Sequence, residues 1–95
     1  MQVKWLRTAL RNLDEQISFI SEENPQAAAR ASARILTAVE RLEEFPELGR
    51  PGRVSSTREL VIAGTRWIVI YRIRDSIEIL RVLHSAQRWP PTRRR

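Results

Sequence analysis

Two consecutive runs near the C-terminal end, RWIVIYRI at 66–73 and SIEILRVLH at 76–84, are apolar on both of their faces. A side chain in a strand alternates between faces, so each run sorts into two sets. In the first, Trp67, Val69, Tyr71 and Ile73 point one way and Ile68, Ile70 and Arg72 the other. In the second, unbroken alternation puts Ile77, Ile79, Arg81 and Leu83 on one face and Glu78, Leu80, Val82 and His84 on the other. A sheet built on these strands needs a cover on both sides, and ninety-five residues make one small domain with a single core.

The rest of the chain supplies one cover. QVKW at 2–5 is a short candidate strand. From Leu6 the period changes, and Leu6, Leu10, Leu13, Ile17 and Ile20 mark one face of a helix. Asn24-Pro25 ends that helix and opens the next, with Asn24 as N-cap and Pro25 in a first turn that needs no N–H. Ala28, Ala31, Ile35, Val39, Leu42 and Phe45 then recur at helical spacing, and the small residues of AAARASA at 27–33 permit close helix packing. Phe45-Pro46 stops the second helix, and PELGRPGRVSST at 46–57 reads as a loop. TRELVI at 57–62 is a third run of strand character. Short joints make the three C-terminal strands antiparallel neighbours.

The expected fold is therefore α+β, one domain over 1–95: a short N-terminal strand, then an antiparallel helical hairpin packed on one face of a small antiparallel sheet, in the order β-α-α-β-β-β. PPTRRR at 90–95 reads as a frayed basic tail. A hairpin covers one face only, so the face bearing Ile68, Ile70, Leu80, Val82 and His84 is left for a dimer mate, a partner segment or the chain's own tail from Ser85 onward.

Charge points to the kind of partner. The net charge is +6, and it is unevenly spread. Residues 1–49 carry six basic and eight acidic side chains; residues 50–95 carry eleven and three. The positive half favours an acidic or polyanionic partner. All basic residues but Lys4 are arginine, whose planar fork suits phosphates and carboxylates. With no cysteine and one histidine, thiolate and ordinary zinc or iron sites are excluded, and no metal or cofactor is expected. No segment has the apolar length of a membrane span or the apolar core of a signal peptide, which makes the cytoplasm the expected location.

Acid–base cleavage of RNA would need a group to activate the ribose hydroxyl, another to protonate the leaving oxygen, and cations on the phosphate. The candidates are His84 with Arg58, Arg72 and Arg81; Glu59 reads as an ion-paired edge residue and Tyr71 as core. A second acid or base is missing, so a binding contact is the competing role for His84. GRPGR at 49–53 fits no phosphate-loop fingerprint and reads as a turn that leaves Arg50 and Arg53 free for a partner.

ENPQAA at 23–28, FPELGRPGR at 45–53, TRELVI at 57–62, IVIYRI at 68–73 and ILRVLHSAQRWP at 79–90 follow one another in an order that resembles the RelE/ParE superfamily of toxins from type II toxin–antitoxin modules. The resemblance spans VKW at 3–5 to RWP at 88–90. It implies a cognate antitoxin, ParD-like and acidic in its C-terminal segment, held in a hetero-oligomer through Ile68, Ile70, Leu80, Val82, Arg50 and Arg53. Its ParE-like branch implies a toxin that inhibits DNA gyrase and traps cleaved DNA, with Arg81, His84, Arg88 and Trp89 against the target. Its RelE-like branch implies a metal-independent mRNA endonuclease on the ribosome. The chain departs from that nuclease pattern at Ile68, where an arginine usually stands, and at Ser85, Ala86 and Trp89, where basic residues or a tyrosine do. The closer resemblance is thus to the ParE-like branch. A co-repressor that binds antitoxin without toxicity is the third possibility.

Overall fold

The computed structural model describes residues 1–84 together with Trp89 and Pro90. Five strands and two helices follow in the order β1 (Val3–Trp5), α1 (Arg7–Glu23), α2 (Pro25–Glu40), β2 (Arg50–Pro51), β3 (Arg58–Val61), β4 (Trp67–Ile73) and β5 (Ile77–His84). A single 3-10 turn, Arg41–Glu43, extends α2. The sheet order is β1-β5-β4-β3-β2.

Asn24 does what its position requires. Its side-chain oxygen accepts the N–H of Ala27 at 3.0 Å, and Pro25 occupies the first turn of α2. The two helices lie on one face of the sheet. Ala9 of α1, with Ile35, Val39 and Leu42 of the second helix and its 3-10 turn, pack against Leu60, Ile62, Val69, Tyr71, Ile77, Ile79 and Val82. The sheet-facing side of α1 is rotated from the expected apolar stripe: Ala9 is its buried residue and Leu10 is exposed. Phe45 likewise lies beyond the 3-10 turn and is exposed.

Two features of the sheet differ from expectation. It is mixed, because β1 runs parallel to β5, with Val3 opposite Ile77 and Trp5 opposite Ile79. The helix that continues β1 imposes this direction. Leu6 N–H donates to the Ile79 carbonyl at 3.1 Å, and α1 then runs over the C-terminal half of β5. Only a strand running with β5 can deliver the helix there. The loop before β3 also contributes a strand, since Arg50 pairs with Glu59 and Pro51 with Arg58.

The second difference reorders the faces. Ile70 lies opposite Arg81 but Tyr71 lies opposite Ile79, so Leu80 is an extra residue in β5. Such a bulge puts two residues against one and breaks the alternation beyond it. Val82 therefore falls on the helix side with Ile77 and Ile79, where it is completely buried. His84, opposite Trp67, shares its parity. The expected second face of Ile68, Ile70, Leu80, Val82 and His84 is corrected: Arg81 and Leu83 join Ile68 and Ile70, and Val82 and His84 leave.

Candidate functional site

The reordered second face is built outward from Glu59. This side chain stands opposite Ile70 and is 3% exposed. Its Oε1 accepts Arg50 Nη2 at 3.0 Å and Nε at 3.3 Å, and its Oε2 accepts the Arg53 N–H at 3.1 Å. Burial alone would raise its pKa, but the Arg53 N–H, the Arg50 guanidinium and the two nearby positive charges outweigh that and hold it below the usual carboxylate value. Glu59 is thus ion-paired as expected, but it is buried beside β2 and not at an edge, and its partners Arg50 and Arg53 are not the free side chains the turn reading implied. Arg58 points elsewhere and donates to the carbonyls of Gly49 at 2.6 Å and Glu47 at 3.3 Å.

Arg53 carries the construction on, its Nη1 donating to the Trp89 carbonyl at 3.3 Å. The Arg81 guanidinium sits 5.4 Å from the centre of the Trp89 ring, within range of a cation–π contact. Trp89, Arg53 and Glu59 close over Ile68, Ile70 and Leu83, and leave Ile70 1% and Leu83 4% exposed. The apolar second face is therefore not bare. The chain's own Trp89 shares in its cover, one of the three occupants that strand parity allows. The Arg81 Nε–H and the Trp89 indole N–H are shut off from solvent with no acceptor among the described residues. Farther along the same face Arg72 donates to Glu78 at 2.5 Å, with Arg74 at 3.8 Å from the same oxygen. The Arg72 hydrogen bond is the main reason the Glu78 carboxyl is held low.

His84, at the end of β5, has the strand parity opposite to that of Arg72 and Arg81, and it edges the small hollow lined by Arg53, Glu59 and Trp89. It borders a groove of about 490 Å³ beneath α1, with Asn12, Gln16, Phe19 and Trp67 among its walls. There Asn12 Oδ1 accepts the Val82 N–H at 3.3 Å, and Gln16 Nε2 donates to the Val82 carbonyl at 2.7 Å. Gln16 also accepts the Trp67 indole N–H. β1 does not reach this part of β5, so α1 satisfies its edge with two side chains one turn apart. Sequence reading passed over this pair, although two amides at a four-residue spacing inside an apolar helix face are a visible signal.

The four nuclease candidates are thus not brought together. Arg58 is committed to loop carbonyls, Arg72 to Glu78 and Arg81 to Trp89, and His84 has the strand parity opposite to that of Arg72 and Arg81. Arg88, expected at the target, lies outside the described residues, as do Ser85, Ala86 and residues 91–95 of the expected tail. No group of three or more metal-ligating side chains occurs among the described residues. Among the described residues no helix is long and apolar enough to cross a membrane.

A helical hairpin on a mixed five-stranded sheet is the architecture of a RelE/ParE-type toxin. The family model for the ParE toxin of the type II toxin–antitoxin system parDE matches residues 3–89. The chain is 52% identical over 89 residues to the putative toxin Y4kP of Sinorhizobium fredii, covering 94% of this chain and 93% of that one. It is 34% identical over 87 residues to toxin RelE2 of Caulobacter vibrioides, covering 90% and 97%. A chain of the chromosomal ParDE toxin–antitoxin system from P. aeruginosa superposes with a TM-score of 0.82 at 27% identity, over 88% of this chain and 95% of that one. The chain belongs to the ParE toxin family of type II toxin–antitoxin systems.

Proposed function

We propose that this toxin acts without chemistry of its own, by binding DNA gyrase and holding its cleaved-DNA complex, and that a cognate antitoxin with an acidic segment neutralises it. One observation carries the choice against mRNA cleavage: His84 and Arg81, three residues apart in β5, have opposite strand parity, and the bulge at Leu80 sets Arg72 with Arg81 and not with His84. A proton-transfer group must come within hydrogen-bond reach of the same phosphodiester that the cations grip. Here Arg72 and Arg81 rise from the face opposite to the parity of His84, and Arg58 is held by loop carbonyls.

The target contact is the second face around Arg81 and Trp89, with Arg72 beside it and Arg88 contributing from the adjoining segment. His84 serves at the end of β5 as a contact residue. Arg50 and Arg53 remain open enough to meet the antitoxin, with side chains 54% and 60% exposed. Ile68 and Ile70 become available to it where Trp89 is displaced, Leu80 is half-buried at the bulge, and Val82 contributes only from within the core.

The test is a titration of purified gyrase with this protein in the presence of relaxed plasmid and ATP. Accumulation of linear, enzyme-linked DNA is the expected result. Undisturbed supercoiling by a protein that is toxic in cells would overturn the gyrase reading. Cleavage of ribosome-bound mRNA that disappears in His84→Ala would establish the nuclease in its place.

A further inference from the structure

The groove beneath the C-terminal half of α1 has a chemistry opposite to that of the chain as a whole. Residues 12–23 hold four acidic side chains, Asp14, Glu15, Glu22 and Glu23, and no basic one, in a chain whose net charge is +6. Glu15 is a wall of the groove, beside Phe19, Ile20, Trp67 and His84. Phe19 is 74% exposed, more than any other large apolar side chain among the described residues. The ion pairs among the described residues engage Glu59 and Glu78 alone of the acids, so no described cation answers the carboxylates of α1. A carboxylate beside open aromatic rings favours a guanidinium, which both of them attract.

The chain carries a segment of that kind. PTRRR at 91–95 joins a proline, which in extended polyproline form packs on aromatic walls, to three consecutive arginines. Trp89 brings the chain to the place where this segment starts. It lines the small hollow that His84 also edges, and His84 is at the same time a wall of the groove. Five extended residues at about 3.1 Å each span about 15 Å, enough to pass the end of β5 where neighbouring strands lie about 4.8 Å apart. A short tether also holds its free end at about millimolar effective concentration, ahead of a tail from a second copy in dilute solution. A competing seat of about 520 Å³ lies among Met1, Phe45, Leu48 and Ile73, with Glu44 and Glu47 on its rim. It suits the segment less well, because Ile73 is six residues, about 20 Å, along β4 from Trp67, the partner of His84.

We propose that the chain's own residues 91–95 dock in the groove beneath α1, with Pro91 against Phe19 and Trp67 and the arginines against Glu15 and its acidic neighbours. The segment that follows β5 then clasps the end of that strand, with Trp89 over one face of the sheet and the arginines beneath α1. Docking withholds Arg93, Arg94 and Arg95 from any other polyanion until the groove releases them. The inference goes beyond the assignments of target and antitoxin and depends on neither.

The experiment uses the full-length chain. It contains no cysteine, so Arg95→Cys gives a single site for a nitroxide spin label and leaves Pro91, Arg93 and Arg94 in place. Backbone amide signals are compared by NMR with the label oxidised and reduced, in this background, in Glu15→Lys/Phe19→Ala and in Glu44→Lys. Glu15 and Phe19 are both exposed, so the double variant asks nothing of the core, and thermal melts check that it keeps the fold. Expected is a loss of signal at Gln16, Phe19 and Ile20 but not at Leu48, reversed by the double variant and untouched by Glu44→Lys. Groove signals that keep their intensity, or a loss that the double variant leaves in place, overturn the proposal. A loss at Leu48 that Glu44→Lys reverses assigns the segment to the competing hollow and overturns it as well. Spin-labelled chain mixed with isotope-labelled chain that carries no spin separates the copies: a loss of groove signal in that mixture assigns the groove to the tail of a second copy and overturns docking within one chain.

Discussion

Replacing Tyr71 by phenylalanine tests how the arginine-bearing loop is tied to the sheet. Tyr71 sits in the middle of β4 and is fully buried. Its hydroxyl donates to the Pro46 carbonyl at 2.7 Å and accepts the Gly49 N–H at 2.8 Å, so one oxygen fixes both ends of the Pro46–Gly49 turn. The approach is so close that a Cβ on residue 49 would stand 2.7 Å from the Tyr71 ring and 2.8 Å from its hydroxyl, and only glycine fits. Phenylalanine keeps the ring and removes both bonds, leaving a part-buried carbonyl and a buried N–H without partners. At about 1–2 kcal/mol for each orphaned group, the loss is about 2–4 kcal/mol. A domain of this size has about 5–14 kcal/mol in total, so the melting temperature should fall by about 10–20 °C. In urea, a slope of about 1 kcal/mol/M converts the loss into a midpoint lower by about 2 M or more with the slope unchanged. A midpoint within about 0.3 M of wild type would refute the argument that the hydroxyl holds the turn.

The same side chain gives a spectroscopic check, because it is the only tyrosine in the chain. Burial pushes its pKa up, against the opposing pull of the Gly49 N–H and of Arg58. A raised native pKa means that the neutral phenol is the form folding favours. Its contribution is fully present below the unfolded value of about 10 and is lost as pH rises through the folded one. Tyrosinate absorbance should therefore appear later in the native protein than in urea. Coincident titrations would contradict the burial argument.

Glu59→Gln keeps the shape and removes the charge that two arginines face; it should cost about 1–3 kcal/mol in urea melts at neutral pH. Because the native Glu59 pKa is depressed, its contribution is present above about 4.5 and lost as pH falls through the folded value, so the variant should lose less stability than wild type on acidification. Trp89→Ala should uncover Ile70 and Leu83 and abolish the contact with Arg81. A rise in fluorescence of an apolar dye and a loss of about 1–2 kcal/mol are expected, and an unchanged melt with no dye binding would mean that Trp89 does not cover the face. Deleting Leu80 leaves Tyr71 opposite Ile79 and Ile70 opposite Arg81 in an unbroken ladder, so the shortened chain should fold with a loss of about 1–2 kcal/mol from one half-buried leucine, as judged by circular dichroism and melting. Deleting Ile68 from the facing strand should abolish folding, since it sends the apolar set of β4 to the wrong face.

The Leu80 bulge is also where strand parity and the structure part company. The helical hairpin was legible because the change of period at Leu6 and the Asn24-Pro25 joint each have one physical solution. The three C-terminal strands were legible from apolar runs between short turns. The direction of β1 was not, because a three-residue strand carries no sign of which neighbour it joins across some seventy residues. The bulge was hidden for a different reason: Leu80 and Val82 are both apolar, so either can be drawn into the core. Yet one residue carried the signal. Unbroken alternation sets Arg81 on the same face as Ile77 and Ile79, both of which are fully buried under the helices. An arginine there would lose its water without an acid to pair with, at a cost of several kcal/mol. One extra residue between Ile79 and Arg81 moves the guanidinium out against Trp89 and brings Val82 in. The same step carries His84 to the other side of the sheet. Arg81 and His84 have opposite parity in either register; what the need to keep one arginine out of the core decides is that Arg81 joins Arg72 and that His84 parts from both.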